Sequence, residues 1–230
     1  ARPSRSAIMR AMILAAGQGR RLAPLTRHTP KPLLPIAGEP LLIRQIRQLR
    51  QAGYDEIVIN LHHLGEQIET ALGDGHSLGV NIRYSHEHTL LDTGGGIVNA
   101  LPMLGDNPFA ILNGDILTDF DFADLPTTLP NDTLGHLIVT GKPANRDQGD
   151  FNITHQRIAS RGGDWVYCGI AVLDPALFLN APKGAFSLRD VYFKALAKNQ
   201  LSAQIHSSHW TDIGDLDQYA AVREAGFEKK

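Results

Sequence analysis

Cysteine is almost absent from this sequence. Cys168 is the single one in 230 residues, so no disulfide can form within the chain, and such usage fits a reducing compartment, with the cytoplasm as the expected location. A dominant charge is missing as well. The 22 basic and 24 acidic side chains leave a formal net charge of −2, which exerts no general pull toward nucleic acid or a membrane surface; neither is expected as a partner. No apolar run approaches the roughly 20 residues that a membrane-spanning helix needs. Internal repeats, linkers and low-complexity tracts are also lacking, so residues 9–230 read as a single domain. With 43% hydrophobic residues the chain can build a sizeable core. Residues 1–8 carry two arginines and no pattern, and read as a cloning remnant or a frayed terminus. Cys168 has no base or cation beside it in sequence and reads as a small buried strand residue, not a nucleophile.

What is present is an alternation of strand-like and helix-like segments. Arg10–Ala16, Glu56–Leu61, Val80–Ser85 and Phe109–Leu112 are short apolar runs of strand type. Between them, Leu41–Ala52 carries Leu42, Ile43, Ile46 and Leu49 at helical spacing and stops at Gly53. Leu64–Leu72 ends similarly at Gly73. Thr93–Leu101 opens with a threonine suited to an N-cap. After a turn-rich stretch at Leu125–Thr133 strands dominate, at His136–Thr140, Phe151–Thr154 and Trp165–Leu173. Ser187–Lys198 is a helix, Ser202–His206 a strand, Leu216–Gly226 a terminal helix. The rhythm predicts an α/β fold: a single-domain, Rossmann-like open mixed sheet, mostly parallel, with helices on both faces.

The first strand empties into Gly17-Gln18-Gly19-Arg20-Arg21-Leu22, and the segment closes at Thr29-Pro30-Lys31-Pro32. Glycines let backbone N–H groups approach a ligand and cluster into an anion-binding concavity. Arg20, Arg21 and Lys31 add three cations to the same segment. Such a segment suits a polyphosphate; the alternative is an ordinary tight turn. A Walker loop is excluded, because four residues do not separate the glycines and no Gly-Lys-Ser/Thr follows. The dinucleotide fingerprint is excluded too: its third glycine is replaced by Leu22, and Pro24 would interrupt the helix it opens.

Asp115, in Asn113-Gly114-Asp115, directly follows a strand of the parallel half, where ligands of open α/β sheets bind; a plain turn aspartate is the alternative. Asp212 follows the last strand, in Trp210-Thr211-Asp212-Ile213-Gly214. Asp215 and Asp217 nearby read as charges of a helix's first turn. His86-Glu87-His88 lacks a third ligand nearby and does not read as a zinc site.

The string Gly17-x-Gly19-x-Arg21-Leu22-x-Pro24-Leu25-Thr26, then Pro30-Lys31-Pro32-Leu33-Leu34-Pro35-Ile36-x-Gly38-x-Pro40, resembles the signature of the sugar-1-phosphate nucleotidyltransferases. The resemblance implies the nucleotide-diphospho-sugar transferase type of fold, with 9–230 as the transferase domain. It implies that Leu14, Ala15, Ala16, Gly17, Gly19, Arg20 and Arg21 hold the nucleotide, together with Asn113. It makes Arg21, Lys31 and Asp115 the catalytic set and Asp115 and Asp212 the ligands of Mg2+, whose octahedral oxygen shell the phosphates and water complete. Glu87–Gly96 is similar to the family's base-holding segment, so Glu87, Thr93, Gly94 and Gly95 are implied at the nucleotide. Leu90 and Asp92 depart from its usual proline and glycine, and Asp215 from the threonine expected after Gly214. Thr140-Gly141-Lys142-Pro143 lacks the glutamate of longer relatives. Gln148-Gly149-Asp150-Phe151 and Tyr167-Cys168-Gly169-Ile170 are similar to pieces of short members. They suggest Lys31, Asp150 and Gly169 as contacts of the sugar phosphate, with a loop aspartate the equal alternative for Asp150.

Within the family the likeness is greatest to short uridylyltransferases of cell-wall recycling. UTP and the 1-phosphate of N-acetylmuramic acid are then the expected substrates, and a monomer or weak homodimer the expected state. Guanylyl transfer to mannose 1-phosphate and thymidylyl or uridylyl transfer to a glucose-type 1-phosphate are the alternatives. A non-catalytic nucleotide-sugar-binding regulator is the alternative of another class, against which Arg21, Lys31, Asp115 and Asp212 together argue.

Overall fold

The computed structural model describes residues 9–130, 132–144 and 146–224. The unpatterned residues 1–8, and Ala225 and Gly226 of the expected terminal helix, lie outside them. Strand β1 (Met9–Leu14) leads into the glycine loop; a small hairpin, β2 (Pro35–Ile36) and β3 (Glu39–Pro40), precedes helix α1 (Leu41–Gln51). Then follow β4 (Tyr54–Leu61), α2 (Gly65–Leu72), β5 (Asn81–His86), α3 (Asp92–Leu104), β6 (Phe109–Asn113) and β7 (Ile116–Thr118). The second half contains β8 (Gly135–Gly141), β9 (Phe151–Thr154), β10 (Arg157–Arg161), β11 (Trp165–Leu173), α4 (Leu188–Ala197), β12 (Leu201–Ile205), β13 (Trp210–Asp212) and α5 (Leu216–Val222).

Nine strands form one sheet in the order β5-β4-β1-β6-β11-β8-β12-β10-β9. Pairing is parallel from β5 through β6 and between β8 and β12; only β11 and β10 run against the others. Both faces are covered, which explains why β1 is apolar from Ala11 to Leu14. Ala11 and Ile13 face one core with Leu42, Ile46 and Leu49 of α1 and Ile68 of α2. Met12 faces the other, with Ile97 of α3 and Val191 of α4. A strand buried on both sides has no use for alternating polarity. Of the stripe read from the sequence of α1, Leu42, Ile46 and Leu49 are buried and Ile43 is partly buried, and Gly53 ends the helix at φ 92°, a conformation glycine adopts without steric cost.

In parallel register Leu14 pairs with both Asn60 and Asn113, so β1, β4 and β6 end level. The chain leaves β1 toward β4 on one side and returns as β6 on the other. The crevice above Leu14 is therefore a topological switch point, where open sheets bind ligands.

A third core cluster lies off the sheet: Leu22 of the glycine loop, Leu34 and Ile36 of the Lys-Pro segment, Leu117 of β7, and Ile213, Tyr219 and Val222 near the C-terminus. Four sequence-distant pieces share this small core. Full burial of one such leucine contributes about 1.5–3 kcal/mol, enough to hold each piece against the crevice.

Two local expectations change. Thr93 is not an N-cap: Leu91 occupies that position without a side-chain cap, and the Thr93 hydroxyl accepts a hydrogen bond from Leu188 N–H at 2.9 Å. The N-terminus of α3 is docked on the 186–188 segment and needs no cap of its own. The short strands β7, β10 and β13 add to the expected set.

Candidate active site

A cavity of about 350 Å³ opens at the switch point. Its floor is Leu14, Ala15 and Ala16 at the end of β1, with Asn60 from β4 and Asn113 from β6 beside them. Gly17, Gly19 and Lys31 line it as well, as do Leu90, Asp92 and Thr93, and Gly114 and Asp115. The N–H groups from Ala16 to Gly19 make no backbone hydrogen bond among the described residues. Gly19 sits at φ 61°, and a Cβ there would come within 2.9 Å of Thr26 Cγ2. Thr26 Oγ1 donates to Gly19 O at 2.9 Å and latches the loop.

The most charged contact is between Lys31 Nζ and Asp115 Oδ2, at 2.6 Å. Lys31 is 12% exposed and Asp115 35%, so the pair lies at the cavity's lip, partly shielded from water. Asp115 and Asp212, 97 positions apart in sequence, are neighbours through the backbone. β7 and β13 form an antiparallel ribbon in which Asp212 pairs with Ile116, and Ile213 N–H donates to Asp115 O at 2.8 Å. Trp210 ties the ribbon to the main sheet, its indole N–H donating to Cys168 O at 2.8 Å. From α5, Gln218 donates to Asp212 Oδ1 at 3.2 Å and accepts from Gly214 N–H at 2.7 Å. Asp215, which departs from the family pattern, caps α5 through Gln218 N–H, and Asp217 lies in that helix's first turn. Arg21 lies over Gly214: a Cβ there would sit 3.1 Å from Arg21 Nη2. Arg20 is exposed and donates to Gln18 Oε1 at 2.7 Å.

Other candidates have different neighbours. Glu87 is buried; its carboxylate accepts from Asn60 Nδ2 at 2.7 Å and from Leu91 N–H at 2.9 Å. Asn60 Oδ1 in turn accepts from Ala15 N–H at 2.8 Å. Glu87 thus steadies the cavity floor from behind and is not among the lining residues. Gly94 and Gly95 both donate their N–H groups to Phe186 O. A Cβ on Gly94 would meet the Phe186 ring at 2.3 Å, and one on Gly95 would meet Gly184 O at 2.4 Å. These glycines permit close helix docking, and their N–H groups are already engaged. Asp150 accepts from Tyr167 N–H at 2.9 Å and Arg146 at 3.1 Å, so both carboxylate oxygens hold the start of β9 in place. Gly169, at φ 74°, makes room for Asn113, whose Nδ2 would lie 2.7 Å from a Cβ. Neither Asp150 nor Gly169 lines the cavity. Cys168 is fully buried and burial pushes its thiol up to about 12, in keeping with its reading as an inert strand residue.

Asn60 was not singled out in sequence. Its only signal is a polar residue near the end of the apolar run Ile57–Leu61. A larger cavity, about 750 Å³, lies between α1 and the segments 118–123 and 208–209; it has no glycine loop.

A donor-rich glycine loop, a lysine and two backbone-linked aspartates at the switch point of a mostly parallel sheet define a nucleotide-binding enzyme of phosphoryl type. Comparison with known proteins gives the family. The Nucleotidyl transferase family model matches residues 10–151, and the chain belongs to that family, as a sugar-1-phosphate nucleotidyltransferase. It is 43% identical over 217 residues to the N-acetylmuramate alpha-1-phosphate uridylyltransferase of Neisseria meningitidis serogroup B, covering 90% of this chain and 94% of that protein. It is 40% identical to the UTP--glucose-1-phosphate uridylyltransferase of Synechocystis, covering 94% of this chain and 63% of the longer relative. A crystallised candidate glucose-1-phosphate thymidylyltransferase from Bacillus anthracis shares the fold, with a TM-score of 0.80 at 22% identity over 96% of this chain and 98% of that one.

Proposed function

We propose that this chain transfers UMP from UTP to N-acetylmuramic acid α-1-phosphate, releasing pyrophosphate and giving the UDP-sugar, as a cytoplasmic step of peptidoglycan recycling. The observation that carries the chemistry is the Lys31–Asp115 pair at the cavity lined by the glycine loop, with Asp212 joined to Asp115 through the backbone of the β7–β13 ribbon. The substrate reading is supported by the likeness to the Neisseria enzyme over nearly its whole length.

A sugar 1-phosphate oxygen is already an anion and needs no general base. It attacks the α-phosphorus of UTP; the new P–O bond forms as the bond to the β-phosphate's bridging oxygen breaks, and pyrophosphate leaves with the electron pair. Catalysis then consists of positioning two polyanions and neutralising their charge. The N–H groups of Ala16–Gly19 cradle the triphosphate, and Arg21 meets the departing pyrophosphate. Lys31 turns from Asp115 to lie between the reacting phosphates. The nucleoside lies against Leu90, Asp92 and Thr93, with Glu87 and Asn60 holding the floor of the cavity.

Asp115 and Asp212 fit a magnesium ion. Both offer hard carboxylate oxygens; Asp115 already attracts a cation at 2.6 Å, and the recorded side-chain partner of Asp212 is a neutral amide. When bound, Mg2+ would neutralise charge on the α-phosphate.

The test is pyrophosphate release with magnesium over a small matrix of nucleoside triphosphates and sugar 1-phosphates. UTP with N-acetylmuramic acid α-1-phosphate is expected to give the highest kcat/KM. Preference for GTP with mannose 1-phosphate, or for a glucose-type 1-phosphate, would overturn the substrate. Binding of a nucleotide-sugar without release for any pair would overturn the enzyme reading.

A further inference from the structure

Gln45 is only 2% exposed, although it lies on the face of α1 that otherwise buries Leu42, Ile46 and Leu49. Its Nε2 donates to Asn113 O at 3.0 Å and to Ile116 O at 2.9 Å. The amide orientation is fixed by chemistry, since the opposite flip would set an oxygen against two carbonyl oxygens. Its Oε1 is buried without a partner among the described residues. An apolar side chain of the same shape would avoid that cost, so what the amide contributes here is the two donated bonds.

Those two carbonyls bracket Gly114-Asp115, where the chain passes from β6 to β7. Gly114 N–H donates to Leu14 O at 2.9 Å, and Asp115 O accepts from Ile213 N–H at 2.8 Å. The turn carrying Asp115 is therefore held from three sides: by β1, by the residue that follows β13, and by Gln45. One turn further along α1, Gln48 Nε2 donates to Thr118 O at 3.0 Å, an equivalent bond at the end of β7 remote from Asp115.

We infer that Gln45 is a positioning residue for this reaction: its paired bonds to Asn113 and Ile116 set the direction of the Asp115 carboxylate and so the affinity of the divalent-cation site. The inference rests on the proposed role of Asp115. Gln45 touches no substrate; it acts through the backbone of the turn.

The experiment compares Gln45→Met with Gln48→Met. Each removes an amide from the same helix, so each lowers the melting temperature. Mn2+ alone is titrated against each protein by electron paramagnetic resonance, and the Mg2+ concentration for half-maximal pyrophosphate release is measured in parallel. Gln45→Met is expected to weaken Mn2+ binding about 10- to 100-fold, the range carried by residues that hold metal ligands in place. It should raise the Mg2+ requirement similarly and leave KM for the sugar phosphate within about twofold. Gln48→Met should leave Mn2+ binding within about twofold of the parent. Unchanged Mn2+ binding in Gln45→Met, or an equal loss in Gln48→Met, overturns the inference. Should Gln45→Met not fold, a crystal structure of the parent with Mn2+ decides. Gln45 Nε2 is expected within about 3.2 Å of both carbonyl oxygens, and loss of either contact overturns the inference. A parent protein that releases no pyrophosphate refutes the proposed function, whereas the Mn2+ titration still tests Gln45.

Discussion

Replacing Lys31 with methionine separates a residue that acts on the phosphates from one that serves only as a counter-ion. Lys31 is held by flanking prolines, Pro30 and Pro32, and its ammonium rests on Asp115 at 2.6 Å with little solvent contact. Two phosphate charges about 4 Å apart repel by about 4 kcal/mol at an effective dielectric near 20. A cation between them offsets repulsion of that order, and at about 1.4 kcal/mol per decade its removal should lower kcat by about 10²- to 10³-fold. Asp115 meanwhile loses its competing cation, so the Mg2+ requirement should not rise. The assay is steady-state pyrophosphate release against Mg2+, UTP and sugar 1-phosphate. The expected pattern is a low kcat with KM for UTP within severalfold of the parent and half-saturating Mg2+ unchanged or lower. Turnover within a fewfold of the parent refutes the reasoning. An unchanged kcat with a raised Mg2+ requirement would reduce Lys31 to a partner of Asp115.

Gly96→Ala places a Cβ 2.6 Å from Glu87 Oε1 and 2.8 Å from Asn60 Nδ2; it should cost about 1–3 kcal/mol in urea unfolding, and an unmoved midpoint would show that this contact relaxes freely. Burial holds His136 below the usual histidine value, against a weaker opposing effect of its hydrogen bond to Gln204. The folded state thus binds fewer protons than the unfolded one, so stability from this site is present above pH about 6.5 and is lost as pH falls below it. The substitution His136→Gln should flatten that acid-side loss, read as urea midpoints at pH 7.5 and 5.5; parallel curves for the two proteins would refute it. Cys168, fully buried with its thiol pushed up to about 12, should resist a thiol-specific disulfide reagent at pH 8 until the protein is unfolded; rapid labelling of the native state would contradict the burial.

The parallel half of the fold was legible because its signals are local. The apolar run of β1, the Leu42–Ile46–Leu49 stripe and the glycines that end α1 and α2 each fit within about a dozen residues. The glycine loop and Lys31 were legible for the same reason, as a dense motif. The β7–β13 ribbon was not, because three-residue strands are too short to show a period and pair across more than 90 positions. For the glycines of α3, sequence shows that a backbone can be approached, not by what. At Gly94 and Gly95 the visitor is the 184–186 segment, and at Gly96 it is Glu87 and Asn60. Buried polar residues such as Asn60 and Gln45 were silent for a related reason, since their partners are distant and no local pattern marks them.

A crystal structure with UTP and Mg2+ tests the joint role of Asp115, Asp212 and the glycine loop most directly. One ion is expected on carboxylate oxygens of both Asp115 and Asp212 and on the α-phosphate, at the roughly 2.0–2.1 Å typical of magnesium, with the triphosphate against the N–H groups of Ala16–Gly19. A triphosphate bound outside that loop, or an ion touching neither aspartate, would contradict that role.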